Sequence, residues 1–271
     1  MNKIYTLLMF RHGEAFHNFD VHKRMGYNEM GYKTITTSLT EKGAMQANLL
    51  ADRLKDTTFD IAITSDLPEA IETMDIVAQK NPSITHMLAW EVLRERNFGE
   101  FEGISQLCSA QLLVENAVTD RLTLTWAPPG GESVTDLRKR VWTFLAELHN
   151  HATKSSVASP IILVSAHSLF MEELLYVISN MNCVSKQFQQ ALQKMSGYQN
   201  TGLVQYTFTS NNSVRIDEDL VGIVCPMISC AHHLKNCDPN YMFCYGGCHD
   251  VVSDKSPLKE IHPPQLIRIK R

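Results

Sequence analysis

No run of apolar residues in this chain is long enough to cross a membrane. The most apolar opening stretch, Ile4 to Phe10, is broken by Thr6 and followed at once by Arg11 and His12. That is too short for the apolar core of a secretory signal, and no small-residue cleavage site follows it. The chain is therefore expected in the cytoplasm, with the nucleus as the other compartment open to it. A basic excess is missing too: 25 Lys and Arg face 29 Asp and Glu, a formal charge of −4. The basic clusters are short, Arg138 to Arg140 and Arg268, Lys270 and Arg271. Nucleic-acid binding, which needs a basic stripe, is excluded on that ground. An anionic ligand would be held by a local pocket rather than drawn in by the field of the whole molecule. Internal repeats, low-complexity tracts and the paired-cysteine knuckle of zinc fingers are also absent.

What is present is ordinary globular composition. The 271 residues are 44% hydrophobic and 20% charged, enough for a large core and unlike a disordered chain, a coiled coil or a collagen-like fibre. Cysteine is distributed unevenly: of 7, five fall between Cys225 and Cys248. In a reducing compartment such clustering favours metal binding or free thiols over disulfides.

Periodicity divides the chain into alternating strands and helices. Ile4 to Phe10 reads as a buried strand, ending in the polar turn Arg11-His-Gly-Glu14. A polar loop runs from Asn18 to Thr37. Ser38-Leu-Thr-Glu41 resembles a capping box, with a helix from Gly43 to Lys55 whose apolar face is Met45, Leu49, Leu50 and Leu54. Strands are expected over 59–64, 85–90, 160–165 and 203–208, and helices over 68–79, 133–149 and 169–178. This alternation predicts an α/β fold with a mostly parallel sheet. Beyond Glu218 the chain is rich in Cys, His and Pro and lacks helical period. The reading is thus an α/β domain over 1–215 and a Cys/His-rich C-terminal extension over 216–271, packed on it.

In a parallel sheet, ligands bind beyond the carboxyl ends of the strands. Two histidines stand at such ends: His12 after the first strand, and His167 in Ser165-Ala-His167. If both strands are central and parallel, the two share one crevice. The blander reading is two ordinary loop histidines among 11.

The residues around them carry a resemblance. Leu8-Met-Phe-Arg-His-Gly-Glu14 is similar to the signature of the histidine phosphatase superfamily, which includes the cofactor-dependent phosphoglycerate mutases. Further segments resemble the family in order: Ser38-Leu-Thr-Glu-Lys-Gly43, Ile63-Thr-Ser-Asp-Leu67, Leu93 to Gly103 (LRERNFGEFEG), Pro128 to Ser133 (PPGGES) and Leu163-Val-Ser-Ala-His167. The resemblance covers roughly residues 3 to 208. Its closest look is to the fructose-2,6-bisphosphatase branch typified by the glycolysis and apoptosis regulator. It implies a three-layer sandwich of the phosphoglycerate mutase type. It also implies His12 as a nucleophile that becomes phosphohistidine, and Arg11 and Asn18 as phosphate ligands. His167 would stabilise charge developing on the phosphoryl oxygens, with Ser168 beside it. Glu95 would be the acid that protonates the leaving alcohol and then the base that activates water. The implied substrate is a small phosphorylated metabolite, and the implied chemistry needs no cofactor and no metal. The oligomeric state cannot be read.

The sequence departs from this pattern near the third segment. A second phosphate-binding arginine is expected two residues beyond Leu67, and that position is Glu69. The family glutamine before Thr73 is Glu72, and Ser168 follows His167 where glycine is usual. Asp66-Leu-Pro-Glu69 also fits a capping box, in which Glu69 would face the helix dipole and not the site. Alternatively Glu69 faces the phosphate pocket, where a negative charge opposes binding, unless Lys23, Arg24 or Arg96 compensates. Two functional readings follow: a working phosphomonoesterase, or a weakened phosphatase fold kept for regulation or binding. A mutase is a third, and it needs a tight pocket that retains the phosphoryl group. In the tail, Cys225, Cys230, His232, His233, Cys237, Cys244, Cys248 and His249 include enough donors for zinc, although their spacing matches no familiar finger.

Overall fold

A computed structural model of the protein describes residues 3–16, 26–27, 33–34, 38–101, 124–181, 198–211 and 220–234. Its first strand, β1 (Lys3–Arg11), is apolar almost throughout because it is covered on both faces. Tyr5, Leu7 and Met9 enter one core, and Leu8 and Phe10 enter the other. Chain order then gives α1 (Glu41–Leu54), β2 (Ile61–Ser65), α2 (Pro68–Lys80), β3 (Leu88–Trp90), α3 (Val134–Lys154), β4 (Ile161–Ala166), α4 (Ser168–Ser179), β5 (Leu203–Ser210) and β6 (Leu220–Cys230).

The sheet has six strands in the order β3-β2-β4-β1-β5-β6. The first four are parallel to one another, while β5 runs antiparallel to β1 and β6 antiparallel to β5. Helices α1 and α2 cover one face, packing Leu50, Ala51, Leu54, Met74 and Val77 on Leu8, Phe10 and Leu163. Helices α3 and α4 cover the other, where Val141, Phe144, Leu145, Phe170 and Leu174 meet Leu7, Met9, Ile162 and Val164. This is the expected three-layer α/β sandwich with a mostly parallel sheet. Leu220–Cys230, inside the segment read as an extension, is the outer strand of this same sheet. Gln205 pairs with Met227 and Thr207 with Val224, so β6 carries one extra residue at Cys225-Pro226. A bulge on an edge strand is where a proline, which has no N–H to donate, is tolerated.

Helix starts depart from expectation in two places. α1 is capped by Thr40, not Ser38: its Oγ1 accepts from the Gly43 N–H at 3.0 Å. Ser38 instead gives its carbonyl to the Phe16 N–H, which ties the loop to β1. The buried face of α1 is Ala47, Leu50, Ala51 and Leu54, and Met45 is exposed. α2 begins at Leu67 with no side-chain cap. Asp66, the expected cap, is taken by Arg94, whose Nε and Nη2 donate to its carboxylate at 2.8 and 2.6 Å. Such a two-pronged, charged contact outcompetes a single N–H.

Within the loop from Asn18 to Thr37, Gly26–Tyr27 pairs antiparallel with Lys33–Thr34. Its remaining residues lie outside those described. No helix among the described residues is long and apolar enough to cross a membrane.

The motif glycine Gly43 has a steric cause. A Cβ there would lie 1.9 Å from the Glu14 carbonyl oxygen, because α1 rides directly on the loop after β1. Gly43→Ala is expected to lower unfolding free energy by about 1–3 kcal/mol, the usual cost of overpacking. Urea denaturation checks this, and an unchanged midpoint would contradict the close approach.

Candidate active site

The strand pairing places both histidines at one level. Arg11 is opposite Ala166 in the β1–β4 ladder, and the His12 N–H donates to the Ala166 carbonyl at 3.0 Å. His12 and His167 follow immediately, with ring centroids 5.0 Å apart and exposures of 2% and 0%. The shared crevice expected from the sequence is formed. The His12 Nδ1–H donates to the Gly13 carbonyl at 2.7 Å, since a carbonyl can only accept. That fixes the tautomer, with the ring lone pair on Nε2. The Nε2 of His167 is bonded to Ser65 Oγ at 2.9 Å, at the end of β2.

Arg11 lies along the same edge. Its Nη1 donates to the Tyr198 carbonyl at 2.7 Å. Burial pulls this guanidinium below its ordinary pKa, and Glu95 and Glu172 pull it back up. Glu95 is not paired with Arg94 or Arg96 side chains as the blander reading had it. Its carboxylate sits at the start of α4 and accepts from the N–H groups of Leu169, Phe170 and Arg96 at 3.1, 3.1 and 2.9 Å. Burial nonetheless raises its pKa above the ordinary value, against the lowering effect of those N–H groups and of Arg11. A carboxyl whose pKa is raised by burial suits an acid–base role.

The loop bearing Glu95 is held by Arg140. Its Nε and Nη2 fork onto Glu132 at 2.9 and 2.7 Å, and its Nη groups also donate to the carbonyls of Val92 and Glu95. Glu132 in turn accepts from the Asn97 N–H at 2.9 Å. The PPGGES segment thus contributes the acid that locks the Arg140 fork, while Ser133 caps α3 in a box with Asp136.

Glu69 is settled by geometry. It is 2% exposed, and its Oε1 lies 3.6 Å from the Nδ1 of His167. The capping explanation therefore fails, because Asp66 is bound elsewhere and α2 packs with Glu69 turned inward. Thr73, one turn on, donates to the Glu69 carbonyl at 2.6 Å and accepts from the Gly13 N–H at 3.0 Å. That clips α2 to the His12 loop. Arg96 does not replace the expected arginine: its Nε donates to the Glu132 carbonyl at 3.0 Å and its guanidinium lies over Phe98. Asn18, Lys23 and Arg24 lie outside the described residues. Ser168 donates its hydroxyl to Glu172 at 3.0 Å, and Glu72 accepts from the Leu39 N–H at 2.8 Å.

Behind His12 the structure reveals support that sequence reading missed. Thr201 has φ 59°, a left-handed conformation that is costly for a β-branched residue. Its N–H donates to the Arg11 carbonyl at 2.9 Å, and Asn200 Nδ2 donates to the His12 carbonyl at 3.0 Å. The Thr201 hydroxyl donates to the Asn200 carbonyl and meets His233 Nε2 at 2.9 Å. Arg53 reaches the other face of that ring, with Nη1 at 3.4 Å from Nδ1. Burial, reinforced by Arg53 and His232, pushes the His233 pKa down to about 3, so the ring is neutral and donates from Nε2. The sequence offered His233 only as a candidate zinc donor, and nothing in it pointed to this contact.

In the described part of the cysteine cluster, Cys225 is a free thiol whose pKa burial raises. Cys230 is disulfide-bonded, unlike the free thiol or metal ligand expected of it. Cys237, Cys244, Cys248 and His249 lie outside the described residues.

The site so described has paired histidines at the carboxyl ends of neighbouring parallel strands, an arginine before the first, and the buried Glu95 carboxyl close enough to that arginine to act on its ionisation. Comparison with known proteins agrees. A family model of the histidine phosphatase superfamily (branch 1) matches residues 7–214, and the chain belongs to that superfamily. It is 31% identical over 214 residues to a 2,3-bisphosphoglycerate-dependent phosphoglycerate mutase of Bartonella henselae, covering 77% of this chain and 95% of that one. It is 26% identical over 233 residues to fructose-2,6-bisphosphatase TIGAR B of Danio rerio, covering 76% and 87%. Among solved structures, phosphoglycerate mutase from Bacillus anthracis superposes with a TM-score of 0.63 at 21% identity, covering 86% of this chain and 96% of that one.

Arg140→Lys keeps the charge but loses the fork on Glu132 and the loop carbonyls. It is expected to cost about 1–3 kcal/mol in urea unfolding, since buried acceptors lose their partners. An unchanged midpoint would show that the Glu95 loop does not depend on it.

Proposed function

We propose that the protein is a phosphomonoesterase working without a metal, through phosphohistidine on His12, on a small phosphorylated metabolite. A sugar bisphosphate such as fructose-2,6-bisphosphate is the substrate that its resemblance and the Danio rerio relative favour. The observation that carries this reading is the fixed tautomer of His12, which leaves Nε2 unprotonated beside His167. In the first step Nε2 attacks phosphorus, the bond to the leaving oxygen breaks, and Glu95 gives that oxygen its proton. In the second, Glu95 takes a proton from water, the water oxygen attacks phosphorus, and the phosphorus–nitrogen bond breaks to release phosphate. Arg11, and Asn18 with it, bind the phosphoryl oxygens; His167 offsets the charge growing on them, next to Ser168 at the start of α4.

Glu69 supports a second reading, in which catalysis is weak or lost and the fold serves a regulatory or binding role. A carboxylate where a guanidinium is expected opposes each phosphate charge by on the order of 3 kcal/mol at about 5 Å and an effective dielectric of about 20. Reversing that sign is worth at least an order of magnitude in rate. The tight phosphate pocket that a mutase needs is disfavoured for the same reason.

Turnover of p-nitrophenyl phosphate and a panel of sugar phosphates, with His12→Ala as the blank, separates the readings. Wild type above the blank supports the enzyme; equality supports the second reading. Glu69→Arg is expected to raise kcat/KM about tenfold or more. No gain would show that Glu69 does not weaken the pocket.

Glu95 predicts a pH effect. Its carboxyl must be protonated to release the alcohol, so kcat/KM falls as pH rises through its raised pKa. Glu95→Gln is expected to lose about 10²–10⁴ in rate together with that limb of the profile. A variant retaining the limb would assign it to another group.

A further inference from the structure

We propose that His12, His167 and Glu69 form a binding site for a single divalent transition-metal ion of the zinc type, and that this ion switches off the phosphoryl-transfer chemistry. The three side chains are buried, and one donor atom from each lies within 4.8 Å of the others. The Glu69 Oε1 to His167 Nδ1 separation of 3.6 Å is close to the spacing of neighbouring ligands around a tetrahedral ion. That spacing is about 3.4 Å for bonds of about 2.05 Å.

The second ring nitrogen of each histidine is already occupied, as it is in metal-binding histidines. In His12 it is held by the Gly13 carbonyl, and in His167 by Ser65 Oγ. One nitrogen of each ring lies in the group of three donor atoms that converge within 4.8 Å. The backbone that carries Glu69 is fixed as well, because Thr73 ties it to the loop that carries His12. Little reorganisation is then needed to contract the three donors onto one ion.

The donor set selects the metal. Two imidazoles and one carboxylate suit zinc and its neighbours, whereas magnesium and calcium prefer oxygen ligands throughout. Three protein donors leave a fourth position for water or a phosphate oxygen. The site exists because of the Glu69 substitution. An arginine at that position would place a fixed cation against the two rings and repel a metal ion.

The inhibitory part of the proposal rests on the reading of His12 as nucleophile, since Nε2 cannot donate one lone pair to a metal and to phosphorus at once. Binding itself does not depend on it. The test uses the full chain, titrating Zn²⁺ in competition with a chromophoric chelator. One ion per chain is expected. Glu69→Gln and His167→Ala are each expected to weaken its binding about tenfold or more. A Cys237/Cys244/Cys248→Ser variant is expected to bind as wild type does. Co²⁺ loaded into wild type provides a check free of any variant's folding. A visible ligand-field band without thiolate charge transfer supports the triad; a thiolate charge-transfer band places the ion in the cysteine cluster and overturns the proposal. No bound ion, or an affinity indifferent to Glu69→Gln, overturns it as well. Zinc is also expected to inhibit hydrolysis by wild type, with at least about tenfold less effect on Glu69→Gln. A chain that binds zinc through the triad yet hydrolyses nothing keeps the site and removes the proposed function. A chain that hydrolyses but binds zinc without regard to Glu69 does the reverse.

Discussion

The hydrogen-bonded pairing of β1 with β4 is the constraint from which the site follows. Parallel strands in register end together, and the ladder continues one step past Arg11 through the His12 N–H to Ala166 carbonyl bond. Both imidazoles consequently leave the sheet at the same height and on the same edge. A slip of one residue in that register would turn every β1 side chain to the opposite face and separate the pair. The alternation of Leu7 and Met9 into one core and Leu8 and Phe10 into the other prevents the slip, because either face would have to exchange its whole apolar set. Catalytic geometry and core packing are thus one requirement in this strand.

Around the histidine pair, charge is arranged in an unusual balance. The crevice edge carries Arg11, with Glu95 and Glu172 close enough to act on its ionisation, and Glu69 against His167. Burial strengthens all of these interactions, since less water is there to screen them. Glu95 gains an elevated pKa from this environment, which fits the proton transfer proposed for it. The carboxylate of Glu69 works in the opposite sense on a phosphate anion, and in the favourable sense on a metal cation. On the two proposals made above, the same residue weakens attraction for phosphate and strengthens attraction for a divalent ion.

The support behind His12 comes from distant parts of the chain. Thr201 keeps its strained backbone because its N–H and hydroxyl are fully used, by the Arg11 carbonyl on one side and by Asn200 and His233 on the other. His233 belongs to the short 3-10 turn after β6, and it is held by Arg53 from α1. Among the described residues, His233 thus links the segment beyond residue 216 to the backbone behind His12. Its two described cysteines lie away from the site: Cys225 is a half-buried thiol in β6, and Cys230 packs in the core on the α1 side.

Much of this was legible in the residues. The β1 run, the helical period of α3 and the order of motifs led to the α/β sandwich, the crevice and the catalytic candidates, because buried strands and amphipathic helices write their burial into local pattern. Local pattern misled where several partners compete for one group. Ser38 and Asp66 looked like caps, yet one bonds the β1 loop through its backbone and the other is held by Arg94 from a different loop. The contact between Thr201 and His233 left no readable mark, since neither periodicity nor spacing encodes it. What the sequence alone determined was the fold class and the chemical inventory, His12, His167, Glu95 and Arg11, together with the anomaly at Glu69. Which way Glu69 points was decided only by tertiary structure. A helix begun by Pro68 with its Asp66 cap diverted, and clipped by Thr73 to the Gly13 N–H, can only turn that carboxylate inward to His167.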